Sequence, residues 1–185
     1  MIKVESDNLV FGVRHKLEEI NINTFQEVVN VLAKSENSDY FFEVWLDVIE
    51  ALSLTKGVKE LLTEDAFYDI IAKINLKDVP ENVINTFEYD NIVYTSKAKD
   101  NKINISAFEF SKLERIAKEN PEFWIHKALA LLFSCQETEY NTIEYKERIF
   151  GENMTIDIAL PYLDRINKSF LRNFEKMTEM LDASK

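Results

Sequence analysis

Glycine is scarce in this chain, three in 185 residues, and proline is equally scarce. Phosphate-cradling loops, nucleophile elbows and dinucleotide fingerprints all need closely spaced glycines, because the backbone there must turn tightly or approach a ligand. Gly12, Gly57 and Gly151 are too far apart to build one. The same scarcity favours long regular elements, mainly helices, over an elaborate loop system. Cysteine occurs once, at Cys135, which excludes an internal disulfide and fits a reducing compartment. No apolar run reaches the about 18 residues of a membrane span, and Met1-Ile2-Lys3-Val4-Glu5 does not read as a signal peptide, so a soluble protein without membrane contact is expected. Cations are outnumbered: 22 Lys and Arg against 33 Asp and Glu give a net charge of −11. A phosphate backbone is bound by clustered cations, so direct nucleic-acid binding is not expected.

What is present suffices for a packed core, with 46% apolar residues and 12% aromatic. It is also repeated. Shifted by 83 positions, Val4 to Phe25 falls on Phe87 to Phe108 without a gap, and nine of the 22 pairs are identical, among them Glu5/Glu88, Asp7/Asp90, Asn8/Asn91, Val10/Val93 and Phe25/Phe108. So long a period with only two copies does not describe a solenoid. It predicts an α+β, predominantly α-helical fold: a tandem duplication of a β-hairpin-plus-helices unit over residues 1–83 and 84–185, the second unit ending in a long C-terminal helix.

Each unit opens on a hairpin signal, Asp-Asn between β-branched and aromatic runs, at Asp7-Asn8 and at Asp90-Asn91. A short strand is expected at Lys102 to Ile105, echoed by Glu19 to Ile22. Helices are expected over Phe25 to Lys34 behind an Asn23 or Thr24 cap, and over Ala107 to Asn120 behind Ser106 with Glu109 at the capping-box position. Further helices are expected over Ser38 to Leu54, Pro121 to Gln136, Val58 to Leu62 and Glu64 to Ile74, the last capped by Thr63. Glu139 to Phe150 reads as irregular or partly extended, and Thr155 as the start of a helix running towards Leu181. That helix carries an apolar stripe, Ala159, Tyr162, Leu163, Ile166, Phe170, Phe174, Met177 and Leu181, beside a basic one of Arg165, Lys168, Arg172 and Lys176.

Chemistry-bearing residues are few. Glu122 and His126 share a helix face at i, i+4, but neither a Glu-x-x-His di-iron pair nor a two-histidine zinc site is present, so His126 reads as a hydrogen-bonded histidine at the core edge. Cys135 lacks an assigned base and reads as a structural thiol. No catalytic residue, metal or cofactor is expected. The segment Tyr40-Phe41-Phe42-Glu43-Val44-Trp45-Leu46 carries more large apolar residues than one helix face can bury. Tyr40, Phe42 and Trp45 belong either to a partner surface or to a central helix covered on several sides. On the same helix Asp39, Glu43, Asp47 and Glu50 form an acidic stripe, either a solvated face or a docking ridge.

The second unit carries Ile103-Asn104-Ile105-Ser106-Ala107-Phe108-Glu109-Phe110 and then Asn120-Pro121-Glu122-Phe123-Trp124-Ile125-His126-Lys127-Ala128-Leu129-Ala130-Leu131-Leu132-Phe133. A tyrosine-bearing stretch through Tyr140, Tyr145 and Arg148 and a helix opening at Met154-Thr155-Ile156-Asp157 follow. Over residues 85–175 this order resembles tailed-bacteriophage morphogenesis proteins, namely tail-assembly chaperones and the baseplate-hub proteins of T-even-like phages. The resemblance implies a non-enzymatic structural or assembly protein whose partners are other phage structural or assembly proteins, with self-association. It places the protein in the bacterial host cytoplasm or in the virion. The alternative is an acidic mimic of nucleic acid that binds a basic protein through Asp39, Glu43, Asp47 and Glu50.

Overall fold

The computed structural model describes residues 1–6, 9–35, 40–75, 80–81, 83–99, 102–103, 105–119, 124–166 and 168. The fold is α+β and predominantly helical. Strands β1 (Ile2–Ser6) and β2 (Leu9–Val13) form an antiparallel hairpin, followed by helices α1 (Ile22–Lys34), α2 (Phe41–Leu52) and α3 (Glu64–Lys73). A second hairpin, β3 (Thr86–Tyr89) and β4 (Ile92–Ser96), leads through the short pair β5 (Ala98–Lys99) and β6 (Lys102–Ile103) to helices α4 (Ala107–Glu119) and α5 (Trp124–Leu132). Then come the two-residue strand β7 (Phe133–Ser134), helix α6 (Ile143–Asn153) and helix α7 over residues 156–166.

The two halves use the same backbone scheme. Val4 stands opposite Phe11 in the first hairpin and Phe87 opposite Tyr94 in the second, positions related by the 83-residue shift. All four are buried, while Val10 and Val93 on the opposite face are exposed, as the two-residue side-chain alternation of a strand dictates. Asp90 and Asn91 turn the second hairpin with φ of 51° and 62°, the left-handed pair of a type I′ turn. The scheme continues past the helices. The Leu52 carbonyl ending α2 accepts from the Arg14 N–H at 3.1 Å, and the Leu132 carbonyl ending α5 accepts from the Lys97 N–H at 2.8 Å. The next residues then pair with the hairpin, Ser53 with Val13 and Phe133 with Ser96. Thr63 caps α3 through the Ala66 N–H and Thr142 caps α6 through the Tyr145 N–H.

Several elements depart from the sequence expectations. Residues 143–153 form a helix running through Gly151, where an irregular segment was expected; its buried face is Lys146, Ile149, Phe150 and Gly151, a lysine and a glycine standing where a periodic pattern would show apolar side chains. Helix α1 begins at Ile22, capped by Asn21 rather than Asn23 or Thr24, so Glu19 to Ile22 is not a strand; Leu17–Glu19 is a single 3-10 turn. Helix α5 ends at Leu132 because Phe133 and Ser134 leave it to extend the β3–β4 sheet. Helix α2 begins at Phe41, and Val58–Glu60 is a 3-10 turn. The Ala107–Glu119 helix has the expected Ser106–Glu109 capping box. On the C-terminal helix Ala159, Tyr162, Leu163 and Ile166 are buried as expected; Phe170, Arg172, Phe174, Lys176, Met177 and Leu181 lie outside the described residues.

One buried cluster draws on both halves. Phe150 of α6 meets Phe87, Tyr94 and Phe133 edge-on, at ring distances of 5.5, 5.2 and 5.4 Å, and Tyr162 of α7 lies 5.0 Å from Phe133. Backbone bonds join the halves directly: the Ile22 N–H donates to the Met154 carbonyl at 3.2 Å and the Ile156 N–H to the Ile20 carbonyl at 2.8 Å. Asn21 and Thr155 form a bridge between these bonds. Among the described residues, no helix is long and apolar enough to cross a membrane.

Candidate functional site

Helix α2 buries only its second half. Val48, Ile49, Ala51 and Leu52 enter the core, whereas the first turn stands outside it, with Tyr40 66%, Phe41 67% and Phe42 43% exposed. The Phe42 ring lies 4.3 Å from Phe67 of α3, and Phe67 meets Tyr68 edge-on at 5.3 Å. Tyr68 is 56% exposed, so the aromatic surface runs from the start of α2 onto α3. Exposed aromatic side chains grouped in this way mark protein interaction sites, since each buries a large apolar area for few lost rotamers. Trp45 differs from the partner-surface expectation. It is half-buried, packs against the core and supports Phe41 at a ring distance of 6.0 Å. Sequence reading passed over Phe41 and Tyr68. Phe41 stood inside the flagged segment, but Tyr68 joins it only through tertiary packing.

The acidic stripe is divided. Asp47 accepts from the Lys59 ammonium at 2.7 Å, and this bond raises the lysine above its ordinary pKa. The Glu50 carboxylate accepts the backbone N–H groups of Gly57 and Lys59. Gly57 has φ of 81°, the left-handed backbone that glycine adopts without strain, and so presents its N–H to Glu50. These two carboxylates therefore fasten the loop after α2 onto the helix. Glu43 stays exposed, and Asp39 lies outside the described residues.

Other chemistry-bearing side chains are held structurally. His126 is buried, its Nε2 lying 2.7 Å from Asn23 Oδ1 across the junction of the halves; Glu122 lies outside the described residues. Burial and the Glu137 carboxylate push the Cys135 thiol above its ordinary pKa, which keeps it in the unreactive protonated form. Lys146 is buried and donates to the Phe133 carbonyl at 2.7 Å and to Asn141 Oδ1 at 3.1 Å; burial lowers its pKa. His15 Nδ1 stands 2.9 Å from the Glu19 carboxylate, which also takes the N-terminal ammonium. A cleft of about 620 Å³ lies where α1, α5 and α7 meet, lined by apolar residues such as Phe25, Trp124 and Leu163. At its rim Arg165 donates to the Glu81 carbonyl at 2.9 Å. Among the described residues no group of three His, Cys, Asp or Glu is arranged to hold a metal ion.

No protein-family model, curated protein or solved structure matches this chain.

Proposed function

We propose that the chain is a non-enzymatic docking protein that acts through protein–protein contacts, and that its setting is bacteriophage tail or baseplate assembly. The aromatic surface of Tyr40, Phe41, Phe42 and Tyr68 carries the docking part. Large rings left in water at the start of a helix whose second half is buried are a cost that burial against a partner removes. The phage setting rests on the sequence resemblance of residues 85–175. The acidic-mimic alternative draws less support, because Asp47 and Glu50 are engaged in holding the loop over 57–59 and do not stand as a free ridge of phosphate-like charges.

Co-expression with the proteins encoded beside it tests the proposal. One of them is expected to co-purify with the wild-type chain through a high-salt wash and to be lost from Phe41→Asp, whose exposed position leaves the fold intact. A neighbour washed off the wild-type chain by high salt, or binding that Phe41→Asp leaves unchanged, would overturn it.

A further inference from the structure

We infer that the chain forms a two-fold dimer in which the outer edge of β1 pairs, antiparallel, with the same edge of a second copy. That edge shares no residue with the aromatic surface of α2 and α3. In an antiparallel ladder, residues directly opposite each other either exchange their backbone hydrogen bonds or both turn them away from the pair. The Gly12 carbonyl accepts from the Leu54 N–H at 3.0 Å, so Gly12 faces away from β1. Lys3 stands opposite Gly12 and therefore faces away from β2, and Glu5, two residues along the strand, does the same. Among the described residues nothing bonds to the backbone of either. The edge of β1 thus offers successive unpaired N–H and carbonyl groups, the arrangement onto which another strand adds.

The second hairpin provides the contrast. Its Ser96 N–H donates to the Asn85 carbonyl at 2.8 Å, so Asn85 faces β4, while Ile84, Thr86 and Glu88 face outward. The outward Ile84 carbonyl is taken by the Tyr162 hydroxyl of α7. A side chain of α7 thus closes one end of the β3 edge, and among the described residues none does so at Lys3 and Glu5.

The side chains along β1 select a second copy of this chain as the partner. Lys3 and Glu5 share the exposed face, each side chain 71% exposed, and meet at 3.3 Å. A lysine on a strand edge discourages pairing with a foreign strand. Pairing β1 with itself about Val4 instead sets Lys3 of each copy opposite Glu5 of the other. Those residues exchange the backbone hydrogen bonds, and opposite charges stand above them. Pairing about Lys3 or about Glu5 would set like charges opposite, which disfavours those registers. The other face agrees: Ile2 and Val4 are buried, so Val4 of one copy meets Val4 of the other on the core side. Both copies use the same edge, so the contact is isologous and the assembly stops at the dimer.

Sedimentation equilibrium of the full chain tests this with Lys3→Glu and Glu5→Lys, each checked for folding by circular dichroism. The wild-type mass is expected to rise with concentration from 21.7 kDa and level off at twice that value. Each variant sets like charges opposite in its self-pair and is expected to dimerise about tenfold more weakly. Their equimolar mixture is expected to recover the wild-type constant, because the acidic side chains of one then face the basic side chains of the other. Hydrogen exchange of the wild type, read residue by residue, needs no variant to fold: the Lys3 and Glu5 amides are expected to slow as concentration rises, and the Glu88 amide is not. A wild type that stays at the single-chain mass or grows past the dimer would overturn the inference. So would a variant as tight as the wild type, a mixture no tighter than its components, or Lys3 and Glu5 amides indifferent to concentration. Slowing of those amides only by a co-purified neighbour would give the edge to that partner and overturn the second copy. Binding through Phe41 is read separately by co-purification and stands or falls on its own.

Discussion

The Glu109 carboxylate is approached by three donors: the Lys97 ammonium, the Ser106 backbone N–H and the Ser106 hydroxyl. The lysine is the main cause of a pKa drawn down from 4.5 to about 2. A carboxylate with a depressed folded-state pKa adds stability that is complete above its unfolded pKa and lost as pH falls through the folded one. Glu109→Gln is therefore expected to flatten the loss of stability between pH 4.5 and about 2, read as the slope of the urea midpoint against pH; an unchanged slope would refute this role. Half of the arrangement was legible in the sequence, since Ser106 and Glu109 stand at capping-box spacing. The Lys97 half was not, because it depends on the path of the short β5–β6 excursion between them. His126 is a similar case: its partner Asn23 lies 103 residues away.

At the scale of elements, the hairpins were readable because their turn residues are chemically distinctive, whereas α6 was not. A buried lysine and a glycine interrupt its apolar face, and only the fold explains them: Lys146 reaches the first residue of β7, and Gly151 admits α1. Helix α2 displayed its aromatic excess plainly, yet the division of labour was hidden, since Phe42 gains its stacking partner from α3 and Trp45 turns towards the core. The approach of α1 to α5 and α6 yields a direct expectation. Gly151→Ala adds about 1 kcal/mol of helix propensity but forces a methyl group into Asn23 and the buried His126 ring, an overpacking cost of about 1–3 kcal/mol. The His126 ring is buried and bonded to Asn23, so a net loss of about 1 kcal/mol is expected in urea unfolding. Gly12→Ala serves as the control: its nearest neighbour is Met1 Sδ at 2.6 Å, the far end of an exposed side chain that can move, and little change is expected.

For the molecule as a whole, the repeat announced itself in the sequence, but how its halves meet did not. The bonds linking Ile20 and Ile22 to Ile156 and Met154 involve backbone groups, which any residue could supply. Together with the shared core they make independent unfolding of either half costly, so a single cooperative transition is expected. The two tryptophans make this measurable, one in each half. In Trp45→Phe and in Trp124→Phe, the fluorescence midpoint should coincide with the circular dichroism midpoint of the same variant; separated midpoints in either would show the halves melting apart.

Those bonds across the junction also set an order of events in the cell. Residues 20–22 leave the ribosome well before residues 154–156 are made, and at about 5–20 residues per second the interval is on the order of ten seconds. Throughout it, the nascent first half presents an unclaimed edge at Ile20 and Ile22, open to whatever reaches it before the chain's own last helices arrive.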